Sequence, residues 1–170
     1  SECFSLEKIY YKLVNKKVSW AVTNSLHFNK NRSNIYNPIF AFFNKNILEI
    51  NTIGSPSSIL IKNKNLLYFD KKTWMRLDVD YYYSLFKKYG PPLYIKNVFI
   101  VNEIHDNQFS NLMINKTQKT RKLLEKELNY LYIKHNYKKL NTIILFILKI
   151  RLKLKRIING LIYCLVIRKK

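Results

Sequence analysis

Acidic side chains are what this chain has least of relative to its charge. Ten Asp and Glu stand against 31 Lys and Arg in 170 residues, a formal net charge of +21. That imbalance excludes a preference for cationic partners and favours anionic ones: nucleic acid, acidic lipid or phosphorylated substrates. Lys, Asn, Ile and Tyr dominate the composition, as an AT-rich coding sequence would produce, so charge alone does not choose among these partners. Cysteine is scarcer still. Cys3 and Cys164 lie near opposite ends, which excludes both a disulfide framework and a zinc cluster and makes a reducing compartment the expected setting. Also absent is a long uncharged apolar run. Thr142 to Ile167 is strongly apolar but interrupted by Lys149, Arg151, Lys153, Lys155 and Arg156. A membrane-spanning helix needs roughly 18 to 20 such residues in succession. A signal-peptide pattern is missing too, and the chain starts at Ser1 rather than Met, so it reads as a fragment or a domain cut from a longer protein.

What is present is an apolar fraction of 48%, enough for the core of one domain. Apolar residues at Leu6, Ile9, Tyr10, Leu13 and Val14 have helical spacing. Val18 to Ser25 is predicted as a buried strand, and the polar stretch Asn29 to Asn37 as a surface loop. Phe40 to Ile53 reads as a short helix and turn. Gly54-Ser55-Pro56-Ser57-Ser58 is a loop, followed by a short strand over Ile59 to Lys62. Lys71 to Trp74 is a turn. Asp78 to Tyr89 is predicted helical, with a carboxylate in its first turn to suit the helix dipole and Gly90-Pro91-Pro92 to stop it. Leu93 to Asn102 alternates as a strand, and Lys116 to Asn136 is a second helix. No acidic residue follows Glu127. On a helical wheel Ile147, Ile150, Leu154, Ile157, Ile158 and Leu161 share a face, with the charges elsewhere. That is the pattern of a helix lying in a membrane surface.

Chemistry concentrates in two segments. Asp78 and Asp80 sit between Trp74 and the triplet Tyr81-Tyr82-Tyr83; Asn102-Glu103-Ile104-His105-Asp106-Asn107-Gln108 follows about one helix and one strand later. Paired carboxylates among aromatics, with a His in a polar loop, place an acid-base or metal group beside a ring-shaped substrate. Taken alone, each residue also has a plainer reading. Asp78 is then a helix cap, His105 a satisfied loop histidine, Trp74 a core residue, and His27 and His135 structural or surface residues.

The whole string from Phe69 to Asn111 resembles the second half of an inverting family 2 glycosyltransferase of GT-A fold. Phe69-Asp70 matches the first family element, Leu77-Asp78-Val79-Asp80-Tyr81-Tyr82 the second, and Asn102-Glu103-Ile104-His105 through Gln108 and Ser110 the third. Ile53-Gly54-Ser55-Pro56-Ser57 resembles the loop before the strand that precedes them. Two positions depart: Leu77 stands where the family often has Glu, and Glu103 where it has Arg.

The resemblance covers about residues 1–115 and implies an α/β fold. Residues 1–115 would be the acceptor-side half of the catalytic domain, a partial GT-A-like mixed sheet with flanking helices. Residues 116–170, beyond the resemblance, read as a basic amphipathic helical region, membrane-associated on the wheel pattern above. The resemblance further implies Asp78 as the general base, Asp80 in support, and Trp74, Ser55 and Gln108 at the substrate. His105 and Glu2 would contact a metal or diphosphate, with Mg²⁺ or Mn²⁺ as the divalent cation. Implied partners are a nucleotide sugar and a saccharide or lipid-linked acceptor, with an anionic membrane surface beside them. The implied location is the cytoplasm, peripheral at the inner face of the membrane. Two other classes stay open. One is a basic nucleic-acid-binding module, favoured by charge and 13 Tyr but lacking any helix-turn-helix, zinc-finger or RNP pattern. The other is a non-catalytic membrane-associated remnant.

Overall fold

The computed structural model describes residues 10–11, 14–29, 33–39, 41–103 and 118–162. Among them are four strands, β1 (Trp20–Asn29), β2 (Ser33–Ile39), β3 (Ile59–Ile61) and β4 (Leu93–Glu103), and three helices, α1 (Leu77–Tyr89), α2 (Gln118–His135) and α3 (Thr142–Ile162). The chain is an α/β protein built on one mixed sheet. β1 is its centre. β4 runs parallel along one edge of β1, from Ala21↔Leu93 to Phe28↔Glu103. The other edge is shared: β3 pairs antiparallel with Trp20–Val22, and β2 pairs antiparallel with Ser25–Asn29.

Alternation along β1 decides what packs where. Trp20 and Val22 point to one face and join Ile59, Ile61 and Tyr94. That face carries the main core, closed by Val79, Tyr82 and Leu85 of α1, Leu131 of α2, and Ile47, Leu48 and Ile53 from the connection between β2 and β3. Ala21 faces the other way, with Leu60, Leu93 and Ile95. Leu131 is fully buried in the same cluster as α1, so α2 belongs to the core of the sheet domain although it lies beyond residue 115.

The sequence expectations for β1, β3, β4, α1 and α2 hold to within a few residues at their ends, although β1 runs four residues past Ser25, to Asn29. Two expectations are corrected. The stretch 29–37, expected as a loop, contributes the strand β2. Its Asn and Ser have poor strand propensity, but the ladder to β1 overrides it. Pro38, opposite Leu26, is accommodated because β2 is an edge strand. The stretch 40–53, expected to hold a short helix, forms only turns over 45–49 among its described residues, tied by Ile47 and Glu49 N–H bonds to Asn44 and Asn46 carbonyls. Tyr10, Tyr11, Val14 and Asn15 are helical as their spacing predicts; the remainder of that predicted helix lies outside the described residues.

α1 starts and stops for identifiable reasons. Arg76 occupies its N-cap without a side-chain capping bond. Glu127 of α2 instead holds the turn that leads into the helix: its carboxylate accepts from the backbone N–H groups of Trp74, Met75 and Arg76 at 3.0–3.3 Å. At the far end Gly90 takes φ +77°, ψ −169°, a conformation essentially restricted to glycine. Its N–H donates to the Phe86 carbonyl, and its own carbonyl accepts from Trp20 Nε1 at 2.9 Å, which ties the helix end to β1.

Candidate active site

Asp78 sits in the first turn of α1, half-buried. The N-cap position itself is Arg76, two residues earlier. The Asp78 Oδ1 accepts from the Val79 N–H at 2.8 Å, and its Oδ2 accepts from Asn51 Nδ2 at 2.7 Å. Burial pushes the carboxyl above the ordinary carboxylate range, against the lowering effect of backbone N–H bonds and of the Arg76 charge. A carboxylate displaced in this way is a better general base, because proton transfer is most effective when the base titrates nearer the working pH.

Asn51 organises the loop that faces Asp78. Its Oδ1 accepts from the N–H groups of Ile53 and Gly54, and its Nδ2 donates to the Gly54 carbonyl as well as to Asp78. Gly54 takes φ +95°, a left-handed conformation that lets the chain double back there. Tyr82, one helical turn after Asp78 and fully buried, donates its hydroxyl to the same Gly54 carbonyl. Its phenol is pushed well above its usual range by burial and then by the Asp78 charge, so it stays a proton donor.

The loop continues into a 3₁₀ turn over Pro56–Ser58, capped by the Ser55 hydroxyl. Ser57 Oγ then donates to Asn102 Oδ1 of β4 at 2.9 Å. One loop, 51–58, therefore spans from the start of α1 to the last residues of β4. Asp78 at the start of α1, Ser55 and Asn102 near the end of β4 are linked through this one loop. Trp74 stands on the turn before α1 with 62% of its surface exposed, so it is not the core residue its type alone would suggest. Glu2, His105 and Gln108 lie outside the described residues.

Asp80 faces the other way. It is 2% exposed, and its carboxylate accepts from Lys134 Nζ at 2.8 and 3.0 Å and pairs with His135 Nε2 at 2.7 Å. Lys134 also bonds Asp70 at 2.7 Å, and Tyr130 donates to the same Asp70 oxygen. The Lys134 bond, followed by the Lys72 N–H, holds the Asp70 carboxyl down at about 2. Desolvation lowers the Lys134 ammonium, but its bonds to Asp70 and Asp80 outweigh that and the net shift is upward. This network clamps α2 against α1 and the 70–74 turn. His135, without a sequence pattern, is thus a buried structural residue beside Tyr83.

Among the described residues no cluster of three His, Cys, Asp or Glu side chains forms. Asp70 and Asp80 are committed to Lys134, and Glu127 to backbone N–H groups.

A groove of about 300 Å³ runs between the 50–51 segment and α3, lined by Ile50, Asn51, Lys149, Leu152, Lys153 and Arg156. Arg156 reaches the Asn51 carbonyl at 3.5 Å. Three cations thus flank the residue that holds Asp78. Sequence reasoning singled out neither Asn51 nor this arrangement. The only signals were an Asn two residues before the Ile53-Gly54 turn and the Lys149, Lys153, Arg156 spacing along one helix flank.

The chain matches no protein-family model, no curated protein and no solved structure.

Proposed function

We propose that the chain is the acceptor-side part of an inverting glycosyltransferase of GT-A type, with Asp78 as its general base. The observation that carries this reading is the double anchoring of loop 51–58, to Asp78 through Asn51 and to Asn102 through Ser57. It links Asp78 of the second matched element to Asn102, the first residue of the third. The succession β3, α1, β4 on a mixed sheet accords with that half of the fold.

The acceptor hydroxyl gives its proton to Asp78 while its oxygen attacks the anomeric carbon of a nucleotide sugar. The bond from that carbon to the diphosphate breaks on the opposite face, and the nucleoside diphosphate leaves with inversion at the sugar. Asn51 holds the Asp78 carboxylate in one orientation, and burial keeps it basic. Trp74, exposed on the turn before α1, offers an aromatic face to the C–H face of the acceptor ring. Ser55 lies on the loop wall. No step is assigned to a cation, since the described residues do not form a site for one.

The test is Asp78→Asn in the full gene product, assayed for sugar transfer from a panel of nucleotide sugars. Loss of the base lowers turnover by about 10²–10⁴-fold, with the fold intact by circular dichroism. Undiminished transfer in a folded Asp78→Asn protein contradicts the assignment.

A further inference from the structure

α3 is an amphipathic helix mounted with its apolar side outward. Leu152 is its one buried side chain among the described residues, and Leu145, Leu148 and Asn159 are half-buried beside it. At 3.6 residues per turn these define a narrow stripe against the body of the protein. The opposite stripe carries Ile143, Ile147, Ile150, Leu154, Ile157 and Leu161, each between 45% and 69% exposed. On the wheel these six fall within an arc of about 80°.

Cations border that arc on both sides: Arg151 and Lys155 on one, Lys149, Lys153 and Arg156 on the other, all exposed. No acidic residue lies in the helix. An apolar strip this continuous, left open to water along 21 residues, is far more than a soluble surface ordinarily carries. Cations on both borders distinguish it from an interface with a second copy, where two such strips would set like charges side by side. The charge arrangement complements an anionic bilayer, with the strip at the acyl boundary and both flanks at headgroup level. No helix among the described residues is long and apolar enough to cross a membrane.

We propose that α3 seats the protein on an anionic lipid surface, parallel to the bilayer, with the Lys149–Lys153–Arg156 groove receiving a headgroup phosphate. That phosphate sits beside Asn51, and so next to the partner of Asp78. The inference stands independently of the sugar-transfer reading: it uses none of the residues assigned to chemistry there except Asn51 as a landmark.

The experiment is flotation of the full chain with vesicles of phosphatidylcholine alone or mixed with phosphatidylglycerol. The wild-type protein floats with the mixed vesicles, not with the neutral ones, and is released as salt rises. Ile150→Glu with Leu154→Glu, on the outward strip where the fold needs neither, abolishes flotation with an unchanged circular dichroism spectrum. Lys149→Glu with Lys153→Glu weakens it roughly tenfold or more, from about fivefold per basic residue at the surface. Asp78→Asn leaves flotation unchanged, so failure of the sugar-transfer reading and failure of this one are separately visible. Absence of flotation with anionic vesicles, or flotation indifferent to both double variants, overturns the proposal. So does a wild-type dimer that the Ile150→Glu, Leu154→Glu pair dissociates without any vesicle binding, which assigns the strip to a second copy.

Discussion

Two carboxylates two positions apart on α1 have opposite fates, and neighbours far along the chain decide which. Asp80 is enclosed and fully paired with Lys134 and His135; Asp78 is half-buried, with Asn51 as its side-chain partner. Asp80→Asn removes the buried carboxylate charge that pairs with Lys134 and bonds His135 Nε2. It is expected to destabilise the fold by about 3 kcal/mol, read from urea unfolding. A stability change under about 0.5 kcal/mol would mean that the clamp between α1 and α2 contributes little. The nearly opposite directions of these side chains were legible from the sequence, since two helical positions differ by about 200°. Which of them would be sealed was not. The partners that decide it lie 27 residues before Asp78 and more than 50 after Asp80, and neither Asn51 nor Lys134 carries a motif. Glu127 was missed for the same reason: as the last acidic residue it was visible, but its role in holding the turn before α1 depends on α2 folding back over the 74–76 turn.

At the scale of elements, periodicity and punctuation found most of the secondary structure. α1 was readable because a first-turn carboxylate and a terminal glycine bracket an apolar spacing, and both markers act locally. Gly90 makes this testable. With φ +77° and ψ −169°, a side chain there is strained although nothing lies within 4 Å of its would-be Cβ. Gly90→Ala therefore lowers stability by about 1–3 kcal/mol through backbone strain alone, measured as a fall in thermal midpoint. An unchanged midpoint would show that the helix end relaxes at no cost. β2 was hard to read because its strand formers, Ile35, Tyr36 and Ile39, are outnumbered by Ser33, Asn34, Asn37 and Pro38; the open edge of β1 recruits it. The turns over 45–49 were misread as helix for the converse reason: a locally apolar, helix-compatible stretch is held in turns by Asn44 and Asn46 backbone carbonyls and by packing of Ile47 and Leu48 into the core.

For the whole molecule, the excess of positive charge acquires a direction. In α3 it borders an outward apolar strip, and in the groove beside Asn51 it approaches the proposed base. The amphipathic spacing of α3 was legible beforehand, but which side would dock on the protein could be read only from the fold. The proposed bilayer contact of α3, with a carboxylate beside the groove, would suit a transferase whose acceptor is carried by lipid. The sugar-transfer reading rests on Asp78 acting as a base, and its electrostatics make a specific demand. Burial raises its pKa, and a general base works only when ionised, so the rate must fall as pH drops through that raised value rather than through the ordinary 3.8. Asn51→Ala removes the donor that favours the charged form, so the fall moves to still higher pH. The deciding measurement is kcat/KM for sugar transfer against pH, in the wild-type protein and in Asn51→Ala. An acid limb above the usual carboxylate range that shifts upward in Asn51→Ala is the predicted result. A limb at the ordinary carboxylate position, or one that Asn51→Ala leaves in place, contradicts the role of Asp78.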